Sequence, residues 1–336
     1  MLFNVIPPLL IVAYLLLNRV CKVKSSLNFA LIFLILISFF SKVLFMKMGG
    51  DVSKYYIYFN HINLESIILN GWLNAVLMIV IKSLFGSFIY FQLFVVGVLI
   101  TIVFHFSNKF FKDYSKTAAL IILATPFVHG LITIHIIQSL SFSVALLAFT
   151  FLEKNKRIFI IIMLLSISIH WSTAILLPVV FFHKKFFWNT ILIICVALIF
   201  LPKYYLYDNT MGSFLEPWFN PKVERDFSPH HIYMYIFFVT ISLFHYKSFR
   251  HNILNVPYIN EISLQVMVYI LAICLIFFDN PLVTVRLGIF LKFFFLTYIL
   301  SLIKFLHIRN VRIMTVLIVV IFVALSFNFS YSTIVA

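Results

Sequence analysis

Asp51, Gln138, His170 and Arg286 are the residues of this chain with both the chemistry and the setting to act on a substrate. Asp51 follows a Gly49-Gly50 break at the end of an apolar run. Behind it Tyr55, Tyr56, Tyr58 and Phe59 form an aromatic ledge of the kind found at headgroup depth. His170 separates two apolar runs within Ser168-Ile169-His170-Trp171-Ser172, Gln138 opens a run, and Arg286 stands near the start of another, after Asp279-Asn280-Pro281. An ionisable side chain at membrane depth costs roughly 2.5–3.5 kcal/mol on insertion, so each needs a reason to be there. A carboxylate or an imidazole would take the proton from an attacking hydroxyl, and a guanidinium would offset charge growing on a departing phosphate through bidentate contacts. Carboxylate, imidazole, amide and guanidinium gathered on one face therefore suit transfer from a lipid-linked diphosphate sugar. Each residue also has a structural reading: Asp51 as a helix cap, His170 as a satisfied buried histidine, Arg286 as a snorkelling or paired arginine, Gln138 as an interhelical hydrogen bonder.

The elements that would hold these residues are membrane helices. Of 336 residues 63% are hydrophobic, 18% aromatic and only 10% charged, with mean hydropathy +1.11. A soluble domain of this length cannot hide that much apolar surface, so an all-α polytopic membrane protein is expected. The net charge of +15 comes from small basic groups between apolar runs, which membrane topology explains and a nucleic-acid interface does not. Cys21, Cys195 and Cys274 lie in or beside apolar runs and read as packing residues. The run from Leu2 to Asn18 has no basic residue ahead of it and Arg19, Lys22 and Lys24 after it, which predicts a first span entering from outside instead of a cleaved signal peptide.

Apolar runs recur at about residues 27–46, 66–85, 87–106, 117–136, 138–152, 157–170, 172–182, 187–201, 231–246, 262–278, 288–303 and 311–328. The groups Arg19/Lys22/Lys24, Lys109/Lys112/Lys116, Lys154/Lys156/Arg157, Lys184/Lys185, Lys247/Arg250 and Lys304/Arg309/Arg312 mark the cytoplasmic face, whereas seven of the ten acids fall in the other loops. Two full spans between Glu65 and His105 would put Lys109, Lys112 and Lys116 outside. Residues 66–85, with Asn70-Gly71-Trp72 and an interior Lys82, are therefore expected to form a re-entrant or interfacial outer helix, leaving about twelve spans. The same count breaks 157–182 at His170-Trp171-Ser172 and puts all four candidate residues at the outer face. Lys42, Lys82 and Lys292 are expected to snorkel. His105, His183, His245, His251 and His307 fall near the cytoplasmic side, where no chemistry is expected.

The loop from Pro202 to His231 carries Tyr204, Tyr205, Tyr207, Trp218, Lys222, Arg225, the acids Asp208, Glu216, Glu224 and Asp226, and Lys203, His230 and His231, a mixture that suits sugar binding and equally suits a solvated interfacial loop. No repeat and no linker divides the chain, so residues 1–336 read as one integral membrane domain. Neither a Gly-rich phosphate loop nor a DxD nor a His/Cys ligand cluster is present, which predicts no nucleotide, metal or other cofactor.

At these positions the sequence resembles the EpsG-like polysaccharide polymerases, relatives of the Wzy O-antigen polymerases. Gly49, Asp51 and Tyr55 match a Gly-x-Asp-x-x-x-Tyr pattern, Glu65 follows, Gln138 opens a middle span, His170 comes with Ser172 and Ala174, and Arg286 is followed by Phe290. The chain departs from the pattern in having Ile137 where an arginine precedes the glutamine, Ile169 in place of an aromatic, and Thr173 between Ser172 and Ala174. Lys222 or Arg225 would substitute for the missing base.

What the resemblance implies is a GT-C-like bundle in the bacterial inner membrane. It would move a growing glycan from an undecaprenyl-diphosphate carrier onto another lipid-linked repeat unit at the periplasmic face, with a flippase and a chain-length regulator as partners and no nucleic acid. Asp51 or His170 would be the base, Arg286 would hold the diphosphate, and Tyr55, Glu65, Gln138 and Ser172 would position sugars. A flippase for the same lipid-linked oligosaccharide and a membrane acyltransferase decorating glycans are the competing functions.

Overall fold

The computed structural model describes residues 51–62, 72–133, 135–182, 230–252, 258–276 and 281–302, together with Ile313. Among them every regular element is a helix, as expected of an apolar chain that has to satisfy its backbone groups without water. The order is α1 (Asp51–His61), α2 (Trp72–Phe85), α3 (Phe88–Phe111), α4 (Ser115–Ala124), α5 (Pro126–Thr133), α6 (Ile136–Phe149) and α7 (Lys156–Ile169). A 3₁₀ helix, Trp171–Phe181, follows, and then α8 (His230–Asn252), α9 (Tyr258–Ile276) and α10 (Pro281–Ser301). Among the described residues α3 and α9 are long and apolar enough to cross a membrane. Ile161, Leu164 and Leu165 on α7, and Leu84 and Phe85 on α2, stay uncovered by protein, as lipid-facing side chains do. The described residues are all-helical, with the apolar helices of a membrane protein.

Local chemistry explains the helix ends. At 14 residues α2 is about 21 Å long, short of the ~30 Å hydrocarbon layer. It stops at Gly86, whose φ of +70° suits only a residue without a Cβ and whose N–H donates to Lys82 O at 2.9 Å. Lys82, expected to snorkel, donates through Nζ to Asn60 O at 2.7 Å and so places positive charge at the end of α1. The span expected over 117–136 is instead two short helices. Thr125 is extended (φ −72°, ψ 142°) ahead of Pro126, because the proline ring disfavours helical backbone in the residue before it while suiting the first position of α5. The same preference starts α10 at Pro281, earlier than hydropathy alone suggests, and puts Arg286 in its second turn.

The chain forms two compact units. In the first, which holds α1 to α7 and the 3₁₀ helix as far as Leu177, α6 packs against α3, α5 and α7 and is buried almost all round, as a helix apolar on every face should be. In the second, from Pro178, helices α8, α9 and α10 pack pairwise. Phe238 stacks on Phe295 with ring centroids 4.3 Å apart, and the buried Tyr235 lies so close to Gly288 that a Cβ there would come within 1.6 Å of the phenol oxygen. Cys274 is buried and unoxidised; Cys21 and Cys195 lie outside the described residues.

Candidate functional site

The first unit brings together the parts of the chain that carry Asp51, Tyr55, Gln138, His170 and Ser172. Val52, Phe59 and Ile62 of α1, Ala75, Met78 and Ile81 of α2, Ile136, Ile137 and Leu140 of α6 and Ile169 of α7 share one buried apolar cluster, and Tyr55 packs against it. Val52, Ile137 and Ile169 directly follow or precede Asp51, Gln138 and His170 in the chain. The cluster is therefore a common floor for the first turn of α1, the first turn of α6 and the last residue of α7. Asp51 is the first residue of α1, a position that the helix dipole favours for an acid. Its side chain lies outside those described.

His170 ends α7 with extended backbone, φ −154° and ψ 118°, while its N–H still donates to Ser166 O at 3.1 Å. The helix thus breaks where the charge count breaks it, and the chain re-forms as the 3₁₀ helix. The imidazole is half-buried and lies parallel to Trp171, ring centroids 6.4 Å apart. Its Nδ1 is 2.7 Å from Ser172 Oγ and accepts the Ser172 backbone N–H at 3.3 Å. Ser172 is buried, its hydroxyl turned to the imidazole.

Beneath this turn is a group of hydroxyls that the sequence did not single out. Ser141 Oγ of α6 lies 3.2 Å from Ser166 Oγ and 3.0 Å from Thr173 Oγ1, and within reach of the carbonyls of Ser166, at 2.9 Å, and His170, at 3.1 Å. Ser166 Oγ donates to Ser141 O at 2.7 Å and reaches Thr173 Oγ1 at 2.9 Å, and Thr173 Oγ1 in turn donates to His170 O at 3.0 Å. All three side chains are buried. Thr173, which interrupts the family pattern in the sequence, thus supplies one corner of the knot. The available signal was the run of hydroxyl residues, Ser166, Ser168, Ser172 and Thr173, around the break.

Gln138 is buried in the first turn of α6, and its Nε2 has no hydrogen-bond partner among the described residues; the fully buried Asn74 carboxamide of α2 is in the same condition. Such groups are costly in packed interiors and call for an explanation. Arg286 belongs to the second unit, half-buried on α10. Glu65, Lys222 and Arg225, with residues 202–229 of the long loop, lie outside the described residues.

No curated protein and no solved structure matches the chain. A family model described as the EpsG family matches residues 27–336, a range that takes in every candidate residue from Asp51 to Arg286, and the chain belongs to that family.

Proposed function

We propose that the protein is a membrane polysaccharide polymerase, a glycosyltransferase that elongates a glycan carried on a lipid diphosphate. The observation that carries this reading is the EpsG family match over residues 27–336, and the assembly of His170, Gln138 and the head of α1 on one floor supports it. The donor is a glycan on undecaprenyl diphosphate, the acceptor a hydroxyl of a second lipid-linked repeat unit, and the reaction runs at the periplasmic face of the inner membrane within a GT-C-like bundle. The acceptor oxygen bonds to the anomeric carbon as the bond from that carbon to the diphosphate breaks. The hydroxyl proton passes to Asp51 or His170, and the diphosphate leaves as an anion whose charge Arg286 offsets. Tyr55, Glu65, Gln138 and Ser172, with Lys222 and Arg225, position the sugars and phosphates. A buried amide nitrogen with no partner among the described residues suits Gln138 to a sugar hydroxyl, since the ligand would satisfy it.

Purified protein mixed with lipid-linked repeat units in detergent should give a ladder of polymer lengths. Flipping, the rival activity, needs a sealed vesicle and gives no ladder. Arg286→Ala should leave single repeat units attached and no long polymer; normal chain length in that variant would remove Arg286 from the reaction.

A further inference from the structure

Asn74 and Asn260 are both fully buried asparagines in apolar helices, and the protein treats them differently. Asn260 of α9 is fitted at both ends of its amide: Nδ2 donates to Tyr298 O at 3.4 Å and Oδ1 accepts the Ser301 hydroxyl. Asn74 of α2 has no hydrogen bond at Oδ1 or at Nδ2 among the described residues. A role in joining helices does not account for an amide that joins nothing, and the buried face of α2 would pack as well on an apolar side chain, without the cost of unmet polar atoms. Asn74 stands one turn ahead of Met78 and two ahead of Ile81 on that face. Met78, Ile81 and Ala75 belong to the apolar floor shared with Val52 of α1 and with Ile136 and Ile137 of α6. Gln138, next to Ile137 in the chain, carries the other buried carboxamide nitrogen without a partner among the described residues. Two helices thus each bring an unsatisfied carboxamide to the edge of one floor.

We propose that Asn74 is a further sugar-binding residue, its carboxamide left unpaired in the empty protein for hydroxyls of the lipid-linked repeat unit. The proposal deepens the polymerase reading and rests on it. A carboxamide donates and accepts in one plane, so a single asparagine can hold two neighbouring hydroxyls of a sugar ring. Both amides are closed off in the empty protein, so the sugar reaches them as the first turn of α2 lifts from the floor. That turn is the end of α2 away from its tie, where Lys82 Nζ donates to Asn60 O at 2.7 Å. Stability given up by burying an unmet amide returns when the glycan binds, which makes Asn74 an exchange of resting stability for affinity. No bond is made or broken at this residue.

The test uses the full-length protein in nanodiscs and the variant Asn74→Leu, which keeps the branching of the side chain and removes its polarity. Without substrate this variant should unfold at a higher temperature than wild type, because the unmet amide is gone. Its kcat/KM for polymerisation of lipid-linked repeat units should nevertheless fall roughly tenfold, the effect of one lost hydrogen bond to the sugar. A binding measurement separates sugar from carrier. Bare undecaprenyl diphosphate and the lipid-linked repeat unit should each raise the unfolding temperature of wild type, the repeat unit by more. Asn74→Leu should keep the rise given by the carrier and lose the additional rise given by the repeat unit. Asn74→Ala, which opens space instead of filling it, should lose the same additional rise, so that obstruction by leucine is not the cause. An unfolding temperature lowered by Asn74→Leu, an unchanged kcat/KM, or an additional rise as large in both variants as in wild type overturns the proposal. If wild type makes no polymer the polymerase reading fails, and the binding measurement still decides on Asn74: an additional rise present in wild type and absent from both variants upholds the sugar site, and any other pattern removes it.

Discussion

His170 in the first unit and His245 in the second both form a hydrogen bond through Nδ1, to Ser172 Oγ at 2.7 Å and to Tyr298 Oη at 3.0 Å. The second bond runs in the other direction. Tyr298 gives its proton to Ser242 O at 3.2 Å, and a carbonyl only accepts, so the phenol oxygen receives a proton from His245 Nδ1. His245 is buried within α8 and belongs to a brace across three helices. In it Asn260 Nδ2 donates to Tyr298 O at 3.4 Å, and Ser301 Oγ bonds both Asn260 Oδ1, at 2.5 Å, and Tyr298 O, at 2.7 Å. His170 is half-buried at a helix break, and its partner lies two residues away in the chain. One histidine is consumed in joining helices. The other sits at a helix break, where Ser172 of its own turn orients the ring.

Replacing each histidine by alanine therefore separates two kinds of loss. His170→Ala should lower polymer formation by about two orders of magnitude or more and leave thermal unfolding in detergent almost unchanged. His245→Ala should cost about 2–4 kcal/mol of stability through the cavity and the broken brace, with wild-type turnover per folded molecule. A stable, inactive His245→Ala would break the comparison and put chemistry in the second unit.

The sequence made the His170 break legible because a polar residue between apolar runs, with Lys184 and Lys185 to be kept inside, left one place for it. The helical class followed from composition for the same reason: apolar excess is a property that no folding detail can reverse. The hydroxyl knot could not be read. Ser141, Ser166 and Thr173 are 25 and seven residues apart, and they meet only because α6 packs on α7 and the chain turns at His170. Single hydroxyls in apolar helices ordinarily bond their own backbone, as Ser143 does to Ser139 O at 2.8 Å, so they leave no periodic signature. The division of 117–136 at Pro126 was available in the sequence and lost to hydropathy, which averages over the one residue that cannot continue a helix.

The second unit also exposes what a brace of aromatic packing demands. Gly288→Ala puts a methyl into the space of the buried Tyr235 phenol, which would have to shift, so a loss of about 1–3 kcal/mol is expected in thermal unfolding. Tyr298→Phe removes the hydroxyl that joins His245 to Ser242 and should cost less, about 0.6–1.7 kcal/mol, the range of interhelical hydrogen bonds in membrane proteins. Neither change should alter polymer formation per folded molecule.

The smallest effect sharpens the comparison within α7 itself, whose ends are built differently. At its start Asn155 Oδ1 accepts the backbone N–H groups of Arg157 and Ile158, each at 3.1 Å, which is an ordinary cap on an exposed turn. At its end the chain reverses into the hydroxyl knot. Asn155→Ala should lower stability by about 1 kcal/mol, as the loss of such a cap does, with kcat and KM at their wild-type values, since the 14 residues between it and the break keep the helix in register. Ser166→Ala, in the same helix at the other end, should lower kcat at a comparable cost in stability. Equal turnover in the two variants would mean that the knot only holds the helix together, and His170 would then owe its orientation to Ser172 alone.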